Sequence, residues 1–237
     1  MSSASVRERA IVPTAPATPR RHARADSQVA ADRHQTSILV TSQGHMQIAP
    51  LIAAMSRELA PGSATQLRRH AGADIVCMVL GGVLRYEPLD APPVTLWAEN
   101  VAVLSTGAGV DYRWRSIGDE PAHVVMLWML GKTEGAPRID VRIARRRDRL
   151  GGFAPIAGRD TGLPIRGEVR VMAGVLPIGS SLIHAARGQR SYVISTIGAI
   201  AADGFAVAAG GGALIERAGA IRVSARQSTE VVIVETP

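Results

Sequence analysis

Arg68, His70 and Asp74 put a guanidinium, an imidazole and a carboxylate inside one short stretch, framed by glycines at 62 and 81. On a strand, residues 68 and 70 point to the same side, so the first two groups could meet one bound partner. An imidazole can ligate a metal or carry a proton. A guanidinium does neither, because it offers no lone pair and keeps its proton; it binds carboxylates and phosphates in a planar fork. The pair therefore suits an anion better than a cation.

The stretch is one half of a repeat. Gly62-x5-Arg68-x-His70-x3-Asp74-x6-Gly81 is matched by Gly179-x5-Ala185-x-Arg187-x3-Ser191-x6-Gly198, with the same internal gaps. Similar turns, Leu59-Ala-Pro-Gly-Ser63 and Leu176-Pro-Ile-Gly-Ser180, surround the opening glycine of each. A repeated turn followed by apolar runs predicts a duplicated β-unit. Short apolar runs broken by Gly, Pro, Asn and Asp predict strands over 50–59, 74–81, 83–87, 94–97, 101–105, 111–116 and 122–130. A second series is expected over 168–176, 191–196, 204–208, 212–216, 219–224 and 230–235. The pattern is that of an all-β sandwich or barrel.

The spacing resembles the first motif of the cupins, Gly-x5-His-x-His-x3-Glu-x6-Gly, in which two histidines two apart reach one metal at about 2.1 Å. Ile75-Val-Cys-Met-Val-Leu-Gly-Gly82, Leu104-Ser-Thr-Gly-Ala-Gly-Val110, and His123-Val-Val-Met-Leu-Trp-Met-Leu130 with Pro137-Arg138 are similar to segments of the pirin-like bicupins, including quercetinase-like members. The resemblance implies an all-β bicupin with two β-barrel domains in tandem: an N-terminal cupin barrel over 45–137, a crossover over 138–166 and a C-terminal cupin barrel over 167–237. For the family it implies iron, held by two histidines of the first motif and by a histidine and a glutamate of the second. Here those four positions read Arg68, His70, Tyr112 and Trp114, so one ligand is retained and no metal cofactor is expected. An improvised site of His70, Asp74 and Tyr112 is the alternative, with Arg68 beside it as a repulsive charge. Arg68, His70, Asp74, Tyr112 and Trp114 would instead form a pocket for an anion or planar ligand, with rings for stacking and a guanidinium for a carboxylate. Ala185 at the corresponding C-terminal position makes the second barrel structural, and His184 has no partner there at metal spacing.

Composition sets the remaining limits. The chain has 237 residues, 46% hydrophobic and 20% charged, enough for a sizeable core. No apolar run approaches the roughly 20 residues of a membrane span, and a cytoplasmic location is expected. The lone Cys77, inside an apolar run, reads as core rather than nucleophile. The formal charge of +7 is concentrated in two places. Residues 1–36, a basic tail expected to be disordered, hold six arginines against three acidic residues. Arg142, Arg145, Arg146, Arg147 and Arg149 form the second cluster. Only eight aromatic residues occur and none lies in the tail, so nucleic acid is not the expected partner. Arg20-Arg21 is followed by His22-Ala-Arg-Ala-Asp26 rather than an apolar segment, so no export signal is read there. The expected function is binding of a small molecule or protein partner by a bicupin without its metal. A quercetinase-like iron dioxygenase is the enzymatic alternative, and a transcription-associated regulator a further one.

Overall fold

A computed structural model describes residues 50–158, 161–165, 168–216 and 219–237; the basic tail at 1–36 lies outside them. The described chain is built of strands: β1 Leu51–Leu59, β2 Arg68–His70, β3 Ala73–Gly81, β4 Val83–Pro88, β5 Val94–Trp97, β6 Asn100–Ser105, β7 Val110–Ser116, β8 Ala122–Leu130, β9 Arg138–Ile143, β10 Ala154–Gly158, β11 Arg170–Leu176, β12 Ser181–Ala186, β13 Arg190–Ser195, β14 Ile200–Ala202, β15 Phe205–Val207, β16 Gly212–Ile215, β17 Gly219–Ala225 and β18 Thr229–Thr236. One 3-10 turn, Arg146–Arg149, interrupts them. Among the described residues no helix is long and apolar enough to cross a membrane.

Each half forms a five-stranded and a four-stranded sheet. In the first half the orders are β1-β8-β3-β6-β9 and β2-β7-β4-β5; in the second they are β10-β11-β18-β13-β16 and β12-β17-β14-β15. Strand alternation divides the apolar residues between two cores. On β3, Ile75, Cys77 and Val79 join Tyr112, Trp114, Leu84 and Leu96 inside the first barrel. Val76 and Met78 point the other way and pack with Val171, Tyr192, Val232 and Val234 of the second half. Met172, Val193, Ile221, Val223 and Ile233 fill the second barrel. The five-stranded sheets are thus buried on both faces, which explains their continuous apolar runs. The four-stranded sheets turn one face to water, and β7 accordingly alternates Tyr112 and Trp114 inward with the exposed or half-buried Arg113 and Arg115.

The repeated turn is the same object in both halves. Gly62 and Gly179 both sit at φ 74°, a left-handed conformation in which glycine alone is unstrained. The Ser63 hydroxyl donates to the Ala60 carbonyl at 2.7 Å, and the Ser180 hydroxyl donates to the Pro177 carbonyl at 2.6 Å. Gly62 N–H donates to the Ser116 carbonyl at 3.1 Å and Gly179 N–H to that of Ala225 at 2.9 Å.

The stretch from 138 to 166 contributes structure to both halves. Its first strand, β9, pairs with β6, and β10 pairs with β11. Between them Arg149, only 2% exposed, donates from Nη1 to Glu230 Oε2 at 2.5 Å and from Nε to the Ala144 carbonyl at 3.2 Å. Arg146 N–H donates to Glu99 Oε1 at 2.6 Å, and Arg142 Nη1 to the Thr161 carbonyl at 2.6 Å. Three of the five clustered arginines therefore hold the crossover in place: Glu99 of the first half and Glu230 of the second both grip it.

Candidate functional site

The site is built on β2 and β7 of the first barrel. Arg68 lies directly opposite Tyr112, and His70 opposite Val110, so Arg68 shares the inward face of Tyr112. Arg68 is exposed at the barrel mouth, His70 is half-buried, and Tyr112 and Trp114 are each 3% exposed. Tyr112 Oη and His70 Nδ1 are 3.0 Å apart. Tyr86 from β4 completes an aromatic cluster, its ring centroid 5.3 Å from Tyr112 and 5.2 Å from Trp114; Tyr112 and Trp114 meet edge to face at 5.8 Å. Such tilted geometries match ring edges to ring faces.

Burial sets the protonation of this cluster. It pushes the Tyr112 hydroxyl above the ordinary tyrosine range, reinforced by Tyr86 and Cys77 and opposed by the indole N–H groups of Trp128 and Trp114 beside the hydroxyl. Burial likewise pushes Tyr86 up to about 12. His70 moves the other way: burial lowers its pKa, and the Arg68 guanidinium lowers it further. At neutral pH the site holds two protonated phenols, a neutral imidazole and one fixed positive charge. Trp114 Nε1 is buried and, although the Tyr112 hydroxyl lies near it, makes no well-formed hydrogen bond, which costs stability unless something accepts the N–H.

Four of the five expected residues converge, and Asp74 does not. Asp74 pairs with Met129 and shares the strand face of Val76 and Met78, which is directed at the second barrel. The period-two alternation of β3 forces this, because Ile75 takes the inward position. The grouping of His70, Asp74 and Tyr112 as an N,O,O site is therefore corrected: the carboxylate faces away.

The four positions that hold metal in the cupin motif supply one neutral imidazole, one phenol that burial keeps protonated, one indole N–H and one guanidinium. Metal binding requires deprotonated donors with lone pairs, and this set does not fit a divalent cation. Among the described residues no three His, Cys, Asp or Glu side chains cluster to hold one.

The second barrel departs from its expected register. Counting back four residues from the matched anchors Ser116 and Ala225 equates Tyr112 with Ile221. Ile221 pairs with His184, as Tyr112 pairs with Arg68, so His184 rather than Ala185 occupies the first motif position, and Ala186 rather than Arg187 the second. The first half carries one extra residue between its turn and β2, at Gln66-Leu67, and a one-residue slip exchanges the two faces of a strand. His184 is buried; its Nε2 meets Glu235 Oε1 at 2.5 Å, while Arg170 Nη1 donates to Glu235 Oε2 at 2.9 Å. Burial alone would raise the pKa of Glu235; the His184 hydrogen bond and the charges of His184 and Arg170 overcome it and hold the carboxyl below its ordinary value. Sequence reading missed this trio because Arg170 and Glu235 lie far from His184 along the chain, and only strand pairing unites them.

Residues 153–236 match the family model described as the quercetinase C-terminal cupin domain. A pirin-like protein of Caulobacter vibrioides is 26% identical over 184 residues, spanning 75% of this chain and 79% of that protein. The crystal structure of YhaK from Escherichia coli is 25% identical, with a TM-score of 0.69 over 79% of this chain and 85% of that one. The bacterial pirin YhhW of Escherichia coli in complex with nickel(II) is 16% identical, with a TM-score of 0.70 over 86% of this chain and 90% of that one, a likeness of fold. Two tandem barrels, the matched C-terminal cupin and these relatives agree: the chain is similar to the pirin and quercetinase-like bicupins.

Proposed function

We propose that this bicupin works without the metal of its relatives and that its N-terminal barrel binds a small planar acid. The observation that carries the reading is Trp114: a nearly fully buried indole whose N–H makes no well-formed hydrogen bond, standing where the motif supplies a metal-binding carboxylate. A ligand acceptor atom satisfies it. Arg68 at the mouth supplies the counter-charge, and Tyr86, Tyr112 and Trp114 supply ring faces and edges for a flat body. The quercetinase-like alternative needs an open coordination sphere with several nitrogen and oxygen ligands, which one imidazole does not provide. The regulator reading rests on free basic clusters, and the guanidiniums of Arg142 and Arg149 are already engaged within the fold.

Calorimetric titration of the full chain with a naphthalene carboxylate in chelator-containing buffer tests the proposal. Saturable binding that survives the chelator and is lost in Arg68→Gln is expected. Binding that appears only when iron or nickel is added would overturn it.

A further inference from the structure

The two faces of the β2-β7-β4-β5 sheet carry different chemistry. Tyr112 and Trp114 of β7 point into the barrel, so Asp111, Arg113 and Arg115 point out. By the same alternation the outward positions are Val83, Arg85 and Glu87 on β4, Thr95 and Trp97 on β5, and Arg69 on β2. Four arginines therefore share this outer face with two carboxylates. Glu87 is divided between two of them, accepting from Arg113 Nε at 2.6 Å and from Arg115 Nε at 3.0 Å. Asp111 meets Arg69 Nη1 at 2.6 Å. Arg85 has no ion-pair partner among the described residues; it stands directly opposite Arg115 on one side and Thr95 on the other. Trp97, 61% exposed, lies opposite Val83 at the end of the same face.

Like charges directly opposite one another weaken a sheet, and a ring left in water contributes no burial energy. The duplicated half shows that the sheet needs neither. Its corresponding face, on β12, β14 and β17, presents Ser181, Ile183, Ala185, Ala201 and Ser224, with Arg222 the single charged residue at the outward positions of those strands. From this contrast we infer that the outer face of the first four-stranded sheet is a docking surface for an acidic protein segment. Trp97 and Val83 receive an apolar side chain, and Arg85, Arg113 and Arg115 receive carboxylates. Exposed Trp and Arg are the residue types that carry most energy at protein interfaces, and complementary charge selects the partner and speeds encounter. Glu87 engages Arg113 through Nε alone, which leaves both terminal nitrogens to fork a second carboxylate. A nucleic acid fits less well: Glu87 and Asp111 would repel a phosphate backbone, and one exposed ring is no platform for successive bases. A second copy of this chain, with its formal charge of +7, is the wrong sign. The surface faces away from the ligand pocket, and the inference does not rest on the proposed function.

Fluorescence anisotropy of the full chain at physiological salt tests this with three labelled probes: a peptide of alternating glutamate and leucine, the matching lysine and leucine peptide, and a single-stranded DNA oligonucleotide. Saturable binding of the glutamate peptide is expected, weakened about tenfold or more by Arg85→Thr and by Trp97→Ala. Arg222→Ala, on the corresponding face of the second barrel, should leave it unchanged. Stability separates docking from a structural role. Because Arg85 faces a like charge, Arg85→Thr should keep or raise the urea midpoint while it loses the peptide. A lowered midpoint would show that the arginine serves the fold, and overturns the inference. Absence of saturable binding by the glutamate peptide, equal binding of the lysine peptide, tighter binding of the oligonucleotide, or equal losses from Arg85→Thr and Arg222→Ala would each overturn it as well.

Discussion

At the scale of single residues, the proposed chemistry of this barrel turns on Arg68. Its charge sits at the mouth, on the inward face of Tyr112, at the position of the first histidine of the cupin motif. Arg68→His alone is expected to leave the protein without nickel or iron affinity, because a protonated phenol and an indole remain at 112 and 114. The triple change Arg68→His, Tyr112→His and Trp114→Glu recreates a three-histidine, one-carboxylate set and should take up nickel stoichiometrically in a calorimetric titration. Tight uptake by the single variant would contradict the donor argument. Most of this site is legible in the amino-acid sequence, since Arg68, His70, Tyr112 and Trp114 follow from motif spacing. Asp74 is not, because spacing alone does not say which of two neighbours, Asp74 or Ile75, a strand turns inward after the tight link at Ala71-Gly72.

Among elements, the crossover is the least readable. Thirteen strand segments announce themselves through apolar runs and glycine punctuation, whereas β2, β9, β10, β12 and β14 are short or carry exposed and half-buried residues and give no comparable signal. The arginine cluster looks like a solvated surface because charge in sequence does not reveal a partner such as Glu230, distant in the chain. Its buried member is testable. Arg149→Ala leaves the Glu230 carboxylate without its close partner, Arg146 being 3.9 Å away and exposed. Breaking a buried pair in this way costs about 3–5 kcal/mol, to be read as a lowered urea midpoint with little change in slope. Replacing both residues together, Arg149→Met with Glu230→Leu, should recover most of the loss. A single variant as stable as the parent would show that the clamp does not hold the crossover.

Over the whole molecule, two copies of one β-unit share a central double layer of five-stranded sheets, yet their interiors have diverged. The first barrel is aromatic around Arg68; the second encloses the His184–Glu235–Arg170 trio at the position corresponding to Arg68 and beside it. Because the folded pKa of Glu235 is lowered, its contribution to stability is fully present above the unfolded value of about 4.3 and is lost as pH falls through the folded value. Glu235→Gln should therefore destabilise the protein by about 2 kcal/mol near neutrality, and the gap to the parent should close progressively in acid. Denaturant titrations of both proteins across that range check it; a gap independent of pH would show that the carboxylate charge is not the source of the stabilisation.

The central claim, a bicupin that has exchanged metal coordination for donor-based recognition of an acid, is tested most directly by the metal content of the full chain. The protein would be expressed with added iron and nickel, purified without chelator, and analysed by elemental mass spectrometry. Iron and nickel far below one atom per chain are expected. One tightly held atom per chain, lost on substitution of His70, would contradict the claim.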